Sequence, residues 1–157
     1  MSIPAETELQ TATVEKLQDL IQTNIDSVKG FRESADEISD ESLASLFQSI
    51  AQERSMLAEE LQQIVASAGE KPQQSGSVSA SVHQTWLNVR SKLSGGDPGA
   101  ILAEAERGED VIKGLYEDVL KETAGSPINA LLQSQYATVK HGHDRIRDLR
   151  DAYQKKT

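Results

Sequence analysis

The chain has 157 residues, of which 37% are hydrophobic and 26% charged, and its formal net charge is −9. This composition predicts one globular domain, residues 1–157, and argues against a disordered chain. The negative charge argues against binding to nucleic acid, and the lack of cysteine excludes thiol catalysis, thiolate metal sites and disulfides. No stretch approaches the roughly 20 apolar residues of a membrane span, so we expect a cytoplasmic protein without membrane association.

Apolar residues spaced by three and four predict a long first helix over residues 6–37. Its inward-facing series contains one polar member, Asn24: the series is Val14, Leu17, Ile21, Asn24, Val28, Phe31, Ala35 and Ile38. Gly30 costs a helix about 1 kcal/mol relative to alanine. A glycine at this position therefore indicates a close approach by another part of the chain or a local bend.

A second helix is predicted over residues 41–68, with Asp40 as its N-terminal cap. The short turn before it makes the first two helices antiparallel neighbours. Its apolar series is Leu43, Phe47, Ile50, Leu57, Leu61 and Ile64. The charged pair Glu53 and Arg54 occupies the middle of this series, and a buried charge must be satisfied by an opposite charge, a hydrogen-bond network or a metal.

Residues 69–97 form a long crossover, in which a shorter helix runs from Val78 to Leu93. We interpret Trp86 as the anchor of this crossover on the rest of the protein. Asp97 and Pro98 predict the start of a third long helix, residues 98–123, and a short turn leads to a fourth, residues 127–153. The sequence therefore predicts an all-α fold, a four-helix bundle running up-down-down-up with a long crossover between its second and third helices.

Polar residues interrupt each long helix once near its midpoint: Asn24, Glu53 with Arg54, Glu109 and His143. Midpoints of helices of matched length lie at similar depth in a bundle. These residues are therefore predicted to meet in one polar layer, because an unpaired buried polar group costs about 1–3 kcal/mol.

This arrangement resembles the ferritin-like superfamily, and within it an uncharacterised bacterial family of four-helix-bundle domains. The resemblance covers nearly all of the chain and rests on short segments of the four long helices: Gly30-Phe31, Glu53-Arg54, Glu60-Leu61, residues 106–110 with Tyr116, and residues 143–146. Dimetal members of the superfamily use one Glu from each of two helices and a Glu-x-x-His from each of the other two.

The resemblance implies a degenerate dimetal site. The first carboxylate falls on Asn24, and the first Glu-x-x-His keeps Glu53 but has Met56 in place of histidine. Glu109 is kept, and the second Glu-x-x-His has Lys140 in place of glutamate and keeps its histidine. The implied polar core layer is Asn24, Glu53, Arg54, Met56, Glu109, Lys140 and His143, with Glu53, Glu109 and His143 as the residual metal ligands.

Two carboxylates beside Arg54 cannot neutralise two metal ions, so we expect no cofactor and a built-in cation in the metal's place. The expected function is a non-catalytic structural or interaction role. The alternative is a metal-binding oxidoreductase or iron-handling protein that holds iron or manganese at the residual Glu/Glu/His site.

A third hypothesis is a small-molecule carrier, for which Met56 and Gly108 are the indications of spare volume. A homodimer is expected if apolar residues remain outside the core, with Leu46 and Ile25 as candidates.

Overall fold

The computed structural model describes residues 11–74, 80–93 and 95–155, and this part of the chain consists of five α-helices with no strand. The helices are α1 (Thr11–Glu37), α2 (Glu41–Ser67), α3 (Ala80–Leu93), α4 (Pro98–Glu122) and α5 (Asn129–Lys155). The predicted all-α class is confirmed. The predicted starts of the first helix, near residue 6, and of the crossover helix, at residue 78, lie outside the described residues.

Aspartate side chains begin two of the long helices, as predicted. Asp40 Oδ1 accepts a hydrogen bond from the backbone N–H of Leu43 at 3.0 Å, and Asp97 Oδ1 accepts from the amide two residues later at 3.1 Å. The last helix starts at Asn129 rather than at residue 127. The difference arises because the Asn129 N–H donates to the Ser126 carbonyl at 3.0 Å and closes a turn before the helix.

The buried apolar residues form two clusters. Cluster A takes residues from the first half of α1, the second half of α2, the second half of α4 and the first half of α5. Its larger members are Leu17, Leu20, Ile21, Leu57, Leu61, Val65, Ile112, Tyr116, Val119, Leu132 and Val139. Cluster B takes residues from the opposite halves of these helices and from α3. Its larger members are Phe31, Leu43, Phe47, Ile50, Val89, Ile101, Leu102 and Ile146.

Helix α3 packs on α1 and α4 through two glycines that leave room for its side chains. A Cβ at Gly30 would lie 2.1 Å from the Trp86 indole, and a Cβ at Gly108 would lie 2.3 Å from Thr85 Cγ2. The indole also meets the Phe31 ring edge-on, with 4.9 Å between centroids. Trp86 is therefore confirmed as the anchor of this helix, and Gly30 as a site of close approach.

Among the described residues, no helix combines the length and the apolar composition needed to cross a lipid bilayer.

Candidate functional site

A layer of buried polar side chains separates cluster A from cluster B. Each long helix contributes to it: Asn24 from α1, Arg54 from α2, Glu109 from α4 and His143 from α5, none more than 9% exposed. The four residues lie at a similar depth because each falls in its helix between residues of cluster A and residues of cluster B. Thr23 and Ser27, which lie near Asn24 on α1, are further buried polar residues of the layer.

Arg54 and Glu109 form a bidentate ion pair at the centre of this layer. Arg54 Nη1 donates to Glu109 Oε1 at 2.8 Å, and Nη2 donates to Oε2. The two side chains are 0% and 2% exposed. Burial lowers the pKa of Arg54, but the charge and the hydrogen bonds of Glu109 outweigh burial and hold this pKa above its ordinary value. The guanidinium therefore stays charged inside the protein.

Gly142 on α5 makes room for this ion pair. A Cβ at Gly142 would lie 2.9 Å from Arg54 Nη2 and 3.5 Å from Glu109 Oε2. Any side chain at this position would thus push into the guanidinium. The sequence analysis did not identify Gly142, although a glycine next to the predicted inward-facing His143 was a signal for a close neighbour.

A second set of hydrogen bonds connects Asn24 of the layer to polar side chains that lie beside cluster A. Asn24 Nδ2 donates to Tyr116 Oη at 2.9 Å, and the Tyr116 hydroxyl donates to Gln135 Oε1 at 2.7 Å. Gln135 Nε2 in turn donates to Glu60 Oε1 at 2.8 Å. Burial raises the pKa of Tyr116 well above its ordinary value, so the phenol remains a neutral donor. Side chains from all four long helices are therefore joined by direct hydrogen bonds.

Glu53 pairs with Arg145, a residue that the sequence analysis did not include in the polar layer. Its two carboxylate oxygens accept from Arg145 Nη2 at 2.8 and 2.9 Å. The Arg145 and Glu53 side chains are 27% and 30% exposed, so this pair lies at the border of the solvent. Glu53 precedes Arg54 by one residue and points about 100° away from it around the helix.

Met56 and Lys140 were assigned to the core layer from the sequence, and the structure corrects both assignments. Met56 is 59% exposed, because it lies two residues beyond Arg54 and so points to the opposite side of α2. The Lys140 side chain is 54% exposed and pairs with Asp144 along α5 at 3.3 Å. Lys140 directly follows the buried Val139, which takes the inward direction at this turn.

His143 lies at the edge of the layer, surrounded by carboxylates that the sequence analysis did not place there. Its Nε2 is 2.9 Å from Asp110 Oδ1 and 3.5 Å from Glu106 Oε2, and its Nδ1 is 3.3 Å from Asp144 Oδ1. The hydrogen bond with His143, followed by the contact with Lys140, lowers the pKa of Asp144. The imidazole therefore interacts with α4 and its own helix rather than with Glu53.

These contacts do not fit the metal site that the resemblance implies. Of the three residual ligands, Glu109 binds the Arg54 guanidinium, Glu53 binds that of Arg145, and His143 faces other carboxylates. In the described part of the chain, no three or more His, Asp and Glu side chains are grouped so that they could hold an ion. A divalent cation at Glu109 would also have to share this carboxylate with a buried guanidinium, which like-charge repulsion opposes.

Residues 12–122 match a family described as a domain of unknown function, DUF2383. The chain belongs to this family. No curated protein matches the chain. The DUF2383 match extends from α1 through the end of α4, so it contains Asn24, Arg54 and Glu109. Helix α5, which contributes Gly142 and His143, follows the matched residues.

Proposed function

We propose that this DUF2383 protein is a ferritin-like helical bundle with a degenerate dimetal site, in which Arg54 takes the place of the metal and the role is structural or interactive rather than catalytic. The single observation that carries the proposal is the bidentate pairing of Arg54 with Glu109, both buried in the core. A cytoplasmic location is part of the same proposal.

The composition of the two clusters supports the ferritin-like arrangement. Cluster A joins the first halves of α1 and α5 to the second halves of α2 and α4. Helices α1 and α5 therefore run in one direction between the clusters, and α2 and α4 run in the other. This is the up-down-down-up order, in which a long connection between α2 and α4 carries α3 along the side of the bundle.

The charges of the core layer support a structural role for the ion pair. Arg54 and Glu109 neutralise one another, so the described layer has no surplus negative charge with which to bind two divalent ions. In dimetal relatives of this fold, four carboxylates supply that charge. A guanidinium has five N–H donors in a planar fork, and can bind a carboxylate on one helix from another without a metal.

The exposed apolar residues indicate where a homodimer would form. Leu46 and Ile25, which the sequence suggested, are partly buried and pack against clusters B and A. Met56 is the most exposed large apolar side chain in the described residues, at 59%. We therefore propose a homodimer whose contact is formed by α2 around Met56, and light scattering should find a dimer for wild type and a monomer for Met56→Lys.

An iron titration tests the proposed function. Protein purified without chelator is made anaerobic, titrated with ferrous iron and then exposed to oxygen. We expect no stoichiometric iron binding, no ligand-to-metal absorption band, and iron oxidation no faster than in buffer. Stoichiometric iron together with oxidation that Glu109→Gln abolishes would overturn the proposal and establish the alternative, a metal-dependent oxidoreductase or iron-handling protein.

A further inference from the structure

The polar layer borders a cavity beneath α3. This cavity has a volume of about 10 Å³ and lies between α1, α3 and α4. Its polar lining comprises Thr23 and Ser27 on α1, Thr85 on α3 and Glu109 on α4. A cavity of about this volume accommodates one water molecule and excludes a larger ligand. The small-molecule carrier hypothesis therefore gains no support from this site.

The protein groups around the cavity can satisfy a ligand that both donates and accepts hydrogen bonds. Each Glu109 oxygen accepts one hydrogen bond from Arg54 and has capacity for a second. The Thr23 hydroxyl donates to the Asp19 carbonyl at 2.8 Å, so its oxygen is available as an acceptor. The Ser27 hydroxyl lines the same cavity and can rotate to donate.

Elsewhere in the layer, outside the lining of this cavity, two buried polar atoms have no partner within the described part of the chain. Arg54 Nε, a donor, and Asn24 Oδ1, an acceptor, are buried and have no hydrogen-bond partner among the described residues. Both residues are 0% exposed. Buried polar atoms that lack a protein partner are commonly satisfied by internal water.

The charge of the layer decides the chemical class of the ligand. Because Arg54 already neutralises Glu109, a cation in the cavity would add an unbalanced charge to a buried site. An anion would meet the Glu109 carboxylate at close range. A neutral molecule of this size with two donors and two acceptors is water.

We propose that one water molecule binds in this cavity as a constituent of the polar layer. It donates to Glu109 and to the Thr23 hydroxyl oxygen, and accepts from the Ser27 hydroxyl. Thr85 and Trp86 close the cavity from the α3 side. The inference concerns the hydration of the layer and does not depend on the ferritin-like topology or on the outcome of the iron titration.

Crystal structures of wild type and of two variants, at a resolution that shows ordered water, test this proposal. Wild-type crystals should show one spherical density peak in the cavity, with oxygen contacts in the range of about 2.6–3.2 Å. Ser27→Val should lose the peak, because its side chain fills the space. If Ser27→Val does not fold, Thr23→Val removes one acceptor with nearly unchanged shape and should reduce the occupancy of the peak.

A soak in rubidium chloride distinguishes water from a cation at the same position. We expect no anomalous signal from rubidium in the cavity, because the site is already neutral. An empty wild-type cavity, a peak that persists unchanged in the variants, or a rubidium peak within the cavity would each overturn the proposal.

Discussion

Removing one member of the buried Arg54 and Glu109 pair should destabilise the protein strongly. In Glu109→Leu the Arg54 guanidinium is left charged and unpaired in the core. In Arg54→Met the Glu109 carboxylate is left charged and unpaired. Loss of one partner from a buried ion pair costs about 3–5 kcal/mol. Because a domain of this size is stable by about 5–15 kcal/mol, either variant should lose a large part of its free energy of unfolding.

The double variant Arg54→Met with Glu109→Leu should recover most of this loss. Replacing a whole buried pair by apolar residues is commonly neutral, or stabilising by about 1–4 kcal/mol. The matched control is the pair of Arg145 and Glu53, which is also hydrogen-bonded but is 27% and 30% exposed at the border of the solvent. Arg145→Met should cost no more than about 1 kcal/mol.

Urea denaturation followed by helical circular dichroism measures these differences. With an m-value of about 2 kcal/mol/M, each core single variant should shift the midpoint by about 1.5–2.5 M. The reasoning would be refuted if Arg54→Met and Glu109→Leu each lost less than about 1 kcal/mol, or if the double variant lost as much as the sum of the single variants.

Three further predictions follow from close contacts and one pKa. Gly142→Ala should lose about 1–3 kcal/mol because its methyl group meets the buried guanidinium. The control Gly114→Ala should gain up to about 1 kcal/mol, since nothing lies within 4 Å; equal effects in urea denaturation would contradict this. Gly30→Ala should displace Trp86 and shift its fluorescence to the red, and an unchanged spectrum would show that the indole does not rest on this glycine. Donation to an aspartate raises the pKa of Tyr153 to about 12, so its stabilising effect is complete below about pH 10 and disappears as the pH rises through about 12. Absorbance titration at alkaline pH should show that Tyr153→Phe loses a step near pH 12, and loss of a step near pH 10 instead would contradict the assigned contact.

Helix positions could be predicted from the sequence because local signals mark them. The aspartates at 40 and 97 accept hydrogen bonds at the helix starts where they were expected. Trp86 was correctly interpreted as an anchor because the large apolar ring of a tryptophan in a short amphipathic helix usually packs into a core. A glycine in a helix has the same sequence signature whether or not a neighbour approaches: Gly30 is closely packed, whereas nothing lies within 4 Å of a Cβ at Gly114.

The composition of the core layer could be predicted only in part. Asn24 and Glu109 were assigned to it from periodicity, because each stands alone as a polar residue in an apolar series. Periodicity does not show which of two adjacent residues at the edge of such a series is buried. On α5 the structure also buries Gln135, which the sequence analysis did not identify. The hydrogen bonds from Asn24 through Tyr116 to Gln135 join side chains on different helices. The spacing of apolar residues within a single helix does not predict such contacts.

Met56 shows how a family pattern can mislead when its register is carried over. The Glu-x-x-His spacing places Met56 inward only if the preceding glutamate is itself a core ligand. In this chain the residue that points into the core is Arg54, one position after Glu53. The buried positions on this turn are therefore shifted by one residue from those that the family pattern implies. The exposure of Met56 follows from that one change.

The most direct test of the account is anomalous diffraction at the iron, manganese and zinc edges from crystals grown with these metals and without chelator. We predict no anomalous peak beside Glu109, and continuous density for a guanidinium that binds both carboxylate oxygens. A stoichiometric peak about 2.0–2.3 Å from a Glu109 oxygen, with Arg54 displaced, would contradict the claim that a built-in cation occupies the place of the metal.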